Sequence, residues 1–186
     1  MSTYPTVIFV SRRNSLRSKL AQASLSHIAR NQFPSLSCGQ PGQISRTIHP
    51  AAMEALRIAG VPLPNEPLRS WADLALPDLC RSAFVVTLDS STVLSQPRWP
   101  GQPDSALWSF PDVAALDDME ASVSASVQIL HALRRRLELF VSLFVHGGSR
   151  DAIRSDVRDL AYLRQLVLVK PRWTFYVLAC VGYGLP

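Results

Sequence analysis

The stretch Thr6-Val7-Ile8-Phe9-Val10-Ser11-Arg12-Arg13-Asn14-Ser15-Leu16-Arg17-Ser18 decides how this chain folds. Thr6 to Val10 is a continuous apolar run with β-branched residues, the pattern of a central parallel strand covered on both faces. Ser11 to Ser18 is a tight polar loop, and a helix is predicted to start at Arg17. A strand, loop and helix start this close together turn several backbone N–H groups towards one spot, which is how such a loop captures a phosphate-like anion. Arg17 adds a planar, bidentate clamp for the same oxygens. The plain alternative is an ordinary strand-to-helix turn with a serine cap, and the segments downstream decide between the two.

Arg17 to Arg30 reads as a helix. Leu16, Leu20, Ala23, His27 and Ile28 fall near one face, and Lys19, Gln22 and Arg30 lie off it. Phe33-Pro34-Ser35 breaks it. Leu36 to Cys38 is a short second strand, followed by the loop Gly39-Gln40-Pro41-Gly42. His49-Pro50 opens a second helix that runs to Ala59 and stops at Gly60. Trp71 to Leu79 reads as a short helix capped by Ser70. Ala83 to Leu88 is the clearest later strand. Ser90 to Asp104 reads as loop, and Leu107 to Phe110 as a last short strand before Pro111-Asp112.

Residues 119 to 145 form a long helix in which Val123, Val127, Leu130, Leu133, Leu137, Phe140, Val141 and Phe144 keep a near-heptad spacing, ended by Gly147-Gly148. Beyond it Ile153, Val157, Leu160, Leu163 and Val167 mark another amphipathic helix, with Ser149 as cap and Asp151 near its positive end. The tail then turns apolar from Trp173 to Tyr183. Strands alternating with helices imply an α/β sandwich with a parallel sheet. Ligands of such folds sit at the carboxyl ends of strands, and Ser11 lies just past the first.

The chain has 186 residues, 47% apolar and 18% charged, with a formal net charge of +5. The sequence pI is about 9.6. That balance suits anionic ligands, but the basic residues are dispersed and no nucleic-acid motif accompanies them. Cys38, Cys80 and Cys180 lack the spacing of a metal site or disulfide framework, so no metal and no cofactor is expected. No signal peptide is evident, and no stretch reaches the roughly 18 apolar residues of a membrane span. A cytoplasmic location is the expectation.

The loop Ser11–Ser18 resembles the phosphate-binding loop of low-molecular-weight protein tyrosine phosphatases and their arsenate reductase relatives. Their pattern is a cysteine, five residues with asparagine third, then Arg-Ser. Asn14, Arg17 and Ser18 match it. The resemblance extends over about residues 6 to 145: His49-Pro50 with Gly60 looks like the family's second helix, Phe84 to Leu88 like its third strand, and Trp108 to Asp112 like the segment carrying its catalytic aspartate. It implies a doubly wound, flavodoxin-like sandwich with a four-stranded parallel sheet; the tail from Ser149 runs beyond the usual family boundary as a helical C-terminal extension. The corresponding division is a phosphatase-like domain over 1–146 and an extension over 147–186 that packs on it or forms an interface, folding back being favoured over a homodimer contact and over a membrane anchor. Implied anion-binding residues are Ser11, Arg12, Arg13, Asn14, Ser15, Leu16, Arg17 and Ser18. Arg17 would be the oxyanion clamp, Asn14 the loop organiser and Asp112 the general acid.

Ser11 stands where the family has its nucleophilic cysteine. A hydroxyl stays protonated where a thiol of pKa ~8.5 can become a thiolate. No histidine is expected beside the loop, and His27 is predicted about four turns away. The chain should therefore bind a phosphate, sulfate or phosphorylated ligand, phosphotyrosine or a similar anion, with little or no turnover. It is then either a native pseudophosphatase or a Cys-to-Ser trapping form; Arg13, where many members have glycine, favours the native change. Replacing a thiolate by a neutral hydroxyl also favours a dianion. The extra cysteines of the reductase branch would fall near Asp89 and Gln96, which argues against arsenate reduction by that route.

The competing reading is a non-enzymatic interaction or regulatory protein that uses the fold as a scaffold, with homodimer or protein-partner contacts through residues 149–186. In the plainer readings Cys38 is a small buried residue, His49 a helix-entry residue, and Arg134-Arg135-Arg136 a solvated helix face. Trp99 and Trp108 either line the pocket mouth or pack under the long loop.

Overall fold

The computed structural model describes residues 4–75, 82–146 and 149–163. Strands β1 (Thr6–Val10), β2 (Ser35–Cys38), β3 (Ser82–Thr87) and β4 (Asp104–Leu107) form one sheet in the order β2-β1-β3-β4. Every pair is parallel. With helices α1 (Arg17–Ile28), α2 (Pro50–Ile58), α3 (Met119–Val145) and α4 (Arg150–Asp159), this is the four-stranded, doubly wound α/β sandwich expected from the sequence.

β1 sits inside the sheet, and the two-residue period of a strand sends its side chains to opposite faces. Val7 and Phe9 join Leu20 and Leu25 of α1, Leu56 of α2, and Leu130, Leu133 and Phe140 of α3 in the main core. Ile8 and Val10 face a smaller cluster of Cys38, Trp71, Leu74 and Val85, with Trp99 packed against it. Phe140 meets Phe33 and Phe84 with ring centroids 5.6 Å apart, and Phe144 meets the same pair, so the long helix is pinned across the sheet by aromatic contacts.

The caps follow local chemistry. Pro50 starts α2, and His49 Nδ1 accepts the Ala51 N–H at 3.2 Å. Asp118 accepts from Glu120 and Ala121 at the start of α3, and Ser149 from Ala152 at the start of α4. Gly60, at φ +64°, stops α2. α1 ends two residues early because Arg30 and Asn31 adopt left-handed backbone at φ +48° and +59°.

Several expectations shift. The last strand is Asp104–Leu107, not Leu107–Phe110. Ser105 and Leu107 are exposed, Asp104 is half-buried and only Ala106 is buried, so this edge strand carries no apolar run to mark it. The apolar Trp108 and Phe110 follow it, and their N–H groups extend the ladder to Thr87 and Leu88 carbonyls at 2.8 and 3.2 Å. The helix expected over Trp71 to Leu79 is only a 3-10 turn, Trp71–Asp73, closed by Ser70 and Asp73, and Leu74 is already extended at ψ 134°; residues 76–79 lie outside the described residues. Ser90–Ser95, expected as loop, is a 3-10 helix capped by Asp89. The buried face of α3 begins with Ser122 and Ser126 rather than Val123 and Val127. Arg136 is not solvated: helical periodicity puts it beside Leu133 and Phe140, and it is buried with its guanidinium 4.7 Å over the Phe110 ring.

α4 packs on the sheet edge. Trp108 Nε1 donates to the Val157 carbonyl at 3.1 Å, Arg154 pairs with Asp104, and Ile153, Val157 and Leu160 join the main core. Arg136 donates to the Ala161 and Leu163 carbonyls, fixing the 3-10 turn Leu160–Tyr162. The helix expected to Val167 ends sooner: α4 stops at Asp159, passes into the 3-10 turn Leu160–Tyr162, and Leu163 leaves helical backbone at ψ 109°. Val167, the stop at Gly147-Gly148, the apolar run Trp173–Tyr183, Cys80 and Cys180 lie outside the described residues. Among the described residues no helix is long and apolar enough to cross a membrane.

Lys19 is a fully buried lysine on α1. Its Nζ donates to the Glu66 carbonyl at 3.0 Å and to Gln22 Oε1 at 3.5 Å. Burial pushes its ammonium from 10.5 down to about 8; Glu66 opposes the shift and Arg69 adds to it. Below pH 8 folded and unfolded chains are both protonated, so the buried charge weakens the fold in full. Above pH 8 the folded chain loses the proton first, and stability rises with pH. From pH 7 to 9 this group should add about 1 kcal/mol, read by urea denaturation against Lys19→Met, which should lose that slope. An equal slope in both proteins would contradict this account of Lys19. The buried Cys38 thiol, pushed up from 9.0 to about 12 by burial, acts in the opposite direction as pH nears 9, where the unfolded thiol starts to ionise, and this cancels in the comparison.

Candidate oxyanion site

Ser11 is the first residue beyond β1, at the carboxyl edge of the sheet, and is 2% exposed. Its N–H donates to the Cys38 carbonyl at 3.1 Å. Its Oγ donates to Ser18 Oγ at 2.8 Å, and Ser18 Oγ donates in turn to Asn14 Oδ1 at 2.9 Å. Asn14 Nδ2 then donates to the Arg69 carbonyl at 3.1 Å and the Ser37 carbonyl at 3.4 Å. Asn14 has φ +53°, a left-handed conformation that asparagine tolerates better than most residues. This relay turns the loop back on itself and ties it to β2 and the segment before Ser70.

The loop carbonyls are held outward. Gln40 N–H donates to Arg12 O at 3.0 Å, Ser45 to Arg13 O at 3.2 Å, and His49 to Ser15 O at 2.9 Å. Gly39 makes this approach feasible: a Cβ there would sit 2.8 Å from Ser11 O and 2.9 Å from Arg12 O. Among the described residues, no acceptor takes the N–H groups of residues 13–18. α1 has no side-chain cap and no acidic residue in its first turn. Unpaired donors at a helix start, with carbonyls fixed away from them, make a nest for an anion.

Arg17 is 5% exposed. One of its terminal nitrogens donates to the Phe110 carbonyl at 2.8 Å, the other to Asp89 Oδ2 at 2.6 Å. Asp112 Oδ1 stands 3.4 Å from the second nitrogen, on a side chain 35% exposed. Asp89 lies just past β3. Burial works against its charge, but hydrogen bonds from Ser91, the Arg17 charge and the Arg12 N–H outweigh it and hold the carboxyl below its usual range. Ser11, Arg13, Ser15, Leu16, Arg17, Asp112 and Ala114 line one cleft.

The predicted residues therefore meet, though unequally. Ser11, Asn14, Ser15, Leu16, Arg17 and Ser18 are buried in the loop, while Arg12 and Arg13 expose their side chains. Asp112 reaches the same cleft. Trp99 and Trp108 take the packing alternative: Trp108 is fully buried and Trp99 lies on the second cluster. The expectation of no histidine beside the loop is corrected, because the chain wraps the loop with the segment that ends at His49. Burial and the nearby Arg13 charge lower the His49 pKa, and Asp112 opposes them. Its Nδ1 is engaged as the cap of α2.

Sequence reading missed Asp89 as a site residue and noted it only as a position without cysteine. The available signal was its place just after the strand beside β1, at the same sheet edge as Ser11. Among the described residues no cluster of histidine, cysteine, aspartate or glutamate is arranged to hold a metal ion.

No family model matches the chain, and no curated protein sequence does. Solved structures do match. The thioredoxin-dependent arsenate reductase of Corynebacterium glutamicum aligns with TM-score 0.57 and 25% identity over 78% of this chain. The tyrosine phosphatase Wzb of Escherichia coli K30, solved with sulphate, aligns with TM-score 0.58 and 15% identity over 75% of this chain and 99% of its own. The YwlE arginine phosphatase, solved as a cysteine-to-serine mutant with a phosphorylated active-site serine, aligns with TM-score 0.54 and 20% identity over 73% of this chain and 95% of its own. The chain has the fold of these reductases and phosphatases. It spans 65% of the length of the Corynebacterium protein.

Proposed function

We propose that this chain is a low-molecular-weight phosphatase-like protein that binds a phosphate-type oxyanion in the loop Ser11–Ser18 and turns it over little or not at all. The observation that carries the reading is the loop itself: its carbonyls are bonded outward to residues 40–49, and the N–H groups of 13–18 are left without acceptors among the described residues. Arg17 stands behind it as the cationic clamp, and Asp112 lines the same cleft. Ser11 donates its only hydrogen to Ser18, so its oxygen lone pairs remain for the cleft, but among the described residues no base contacts it. A neutral hydroxyl beside a dianion favours binding and disfavours attack. The sulphate held by one phosphatase of this fold and the phosphorylated serine of another support the reading.

The test is calorimetric titration of the full chain with orthovanadate. The expected result is saturable, one-to-one binding with no release of phosphate from p-nitrophenyl phosphate. Absence of vanadate binding would remove the reading and move attention to the C-terminal surface.

A further inference from the structure

The walls of the cleft are short or charged. Leu16 is 4% exposed and offers little surface, and Ala114 offers a methyl group. The remaining walls are hydroxyls, guanidiniums and one carboxylate. Aromatic groups lie elsewhere: Trp108 is sealed under α4, Trp99 covers the opposite side of β1, and Phe110 is capped by Arg136. Among the described residues none of them lines the cleft. An aryl group contributes affinity by burying a flat face against apolar or aromatic surface, and among the described residues the walls offer no such face.

The charges make a second argument. Asp89 and Asp112 place two carboxylates on the single guanidinium of Arg17. A dianion entering beside that trio meets a net negative surrounding unless another cation faces it. Arg13 is the remaining cation in the lining, and its charge is felt at His49, which also senses Asp112.

We propose that the site selects compact tetrahedral dianions, either inorganic or the monoester of a small aliphatic alcohol, over aryl phosphates such as phosphotyrosine, that the short wall at Ala114 sets this selection, and that Arg13 supplies the charge that any dianion there requires. The proposal rests on the loop being an oxyanion site. Arg13 supplies the charge that offsets the second carboxylate. Ala114 leaves out the wall an aromatic ring would stack on.

The full chain is titrated with inorganic phosphate, glycerol 3-phosphate, phenyl phosphate and phosphotyrosine at matched ionic strength. Inorganic phosphate or glycerol phosphate should bind more tightly than both aryl ligands; whichever of the two leads assigns the free anion or the aliphatic ester. Arg13→Ala, at an exposed side chain, should weaken the leading ligand about tenfold, and Arg13→Lys should restore part of it. Ala114→Tyr should raise phenyl phosphate relative to inorganic phosphate about fivefold. Tighter binding of the aryl ligands by the unmodified chain, or an unchanged ratio of phenyl to inorganic phosphate in Ala114→Tyr, overturns the selection while leaving the oxyanion site standing; indifference to Arg13→Ala overturns the role given to Arg13. If none of the four ligands binds, the oxyanion site falls and the selection falls with it.

Discussion

Arg17→Ala should lose both the anion site and a large part of the fold's stability. The guanidinium is buried, and it partners the Asp89 carboxylate and the Phe110 carbonyl at once. Truncating it leaves a buried carboxylate uncompensated and a carbonyl without its donor, which typically costs about 3–5 kcal/mol. Urea denaturation reads that loss as a lower midpoint with an unchanged slope. Vanadate affinity should fall more than about 100-fold, because the buried positive charge beside the loop has been removed. A second variant separates charge from stability. Removing Asp89 together with Arg17, as Arg17→Met with Asp89→Leu, should recover much of the stability and none of the binding. A stability loss under about 1 kcal/mol for Arg17→Ala would show that the Asp89–Arg17 pair is not the anchor described here.

Ser11→Cys should create a phosphatase. A thiol at this position would sit at the start of α1, among unpaired N–H groups and beside Arg17, the surroundings that lower a thiol's pKa and make it a nucleophile. On the proposed reading Asp112, which lines the same cleft, would protonate the leaving oxygen. Turnover of p-nitrophenyl phosphate should rise at least about 10³-fold over the unmodified chain, read as kcat so that weak aryl binding does not mask it. Adding Asp112→Asn should remove about 10²-fold or more of that gain. A Ser11→Cys protein that binds vanadate yet shows no turnover would mean that the acid or the in-line geometry has been lost as well as the nucleophile.

Much of this was legible because the loop is local. Val7 to Val10 announces a buried strand by composition alone, and Asn14, Arg17 and Ser18 stand within one turn of the helix that positions them. The helices with strong periodicity and clear caps, Pro50–Ile58 and Met119–Val145, were readable for the same reason. What escaped depends on neighbours distant in sequence. β4 is an edge strand with little to bury, so its position is fixed by pairing with β3 and not by its own pattern. Arg136 and Lys19 look like surface residues in sequence, yet helix phase and backbone carbonyl acceptors bring both inside. Asp89 is 72 residues from Arg17, and His49 meets the loop only because segment 39–49 wraps its carbonyls. Spacing within a single chain does not encode such contacts.

The most direct measurement is a titration of inorganic phosphate into the uniformly ¹⁵N-labelled full chain, following backbone amide resonances. The account predicts that the amides of residues 13–18 shift together and saturate at one equivalent, since those N–H groups are the donors left for the anion. Amides unmoved across the loop, or shifts confined to another surface, would contradict it.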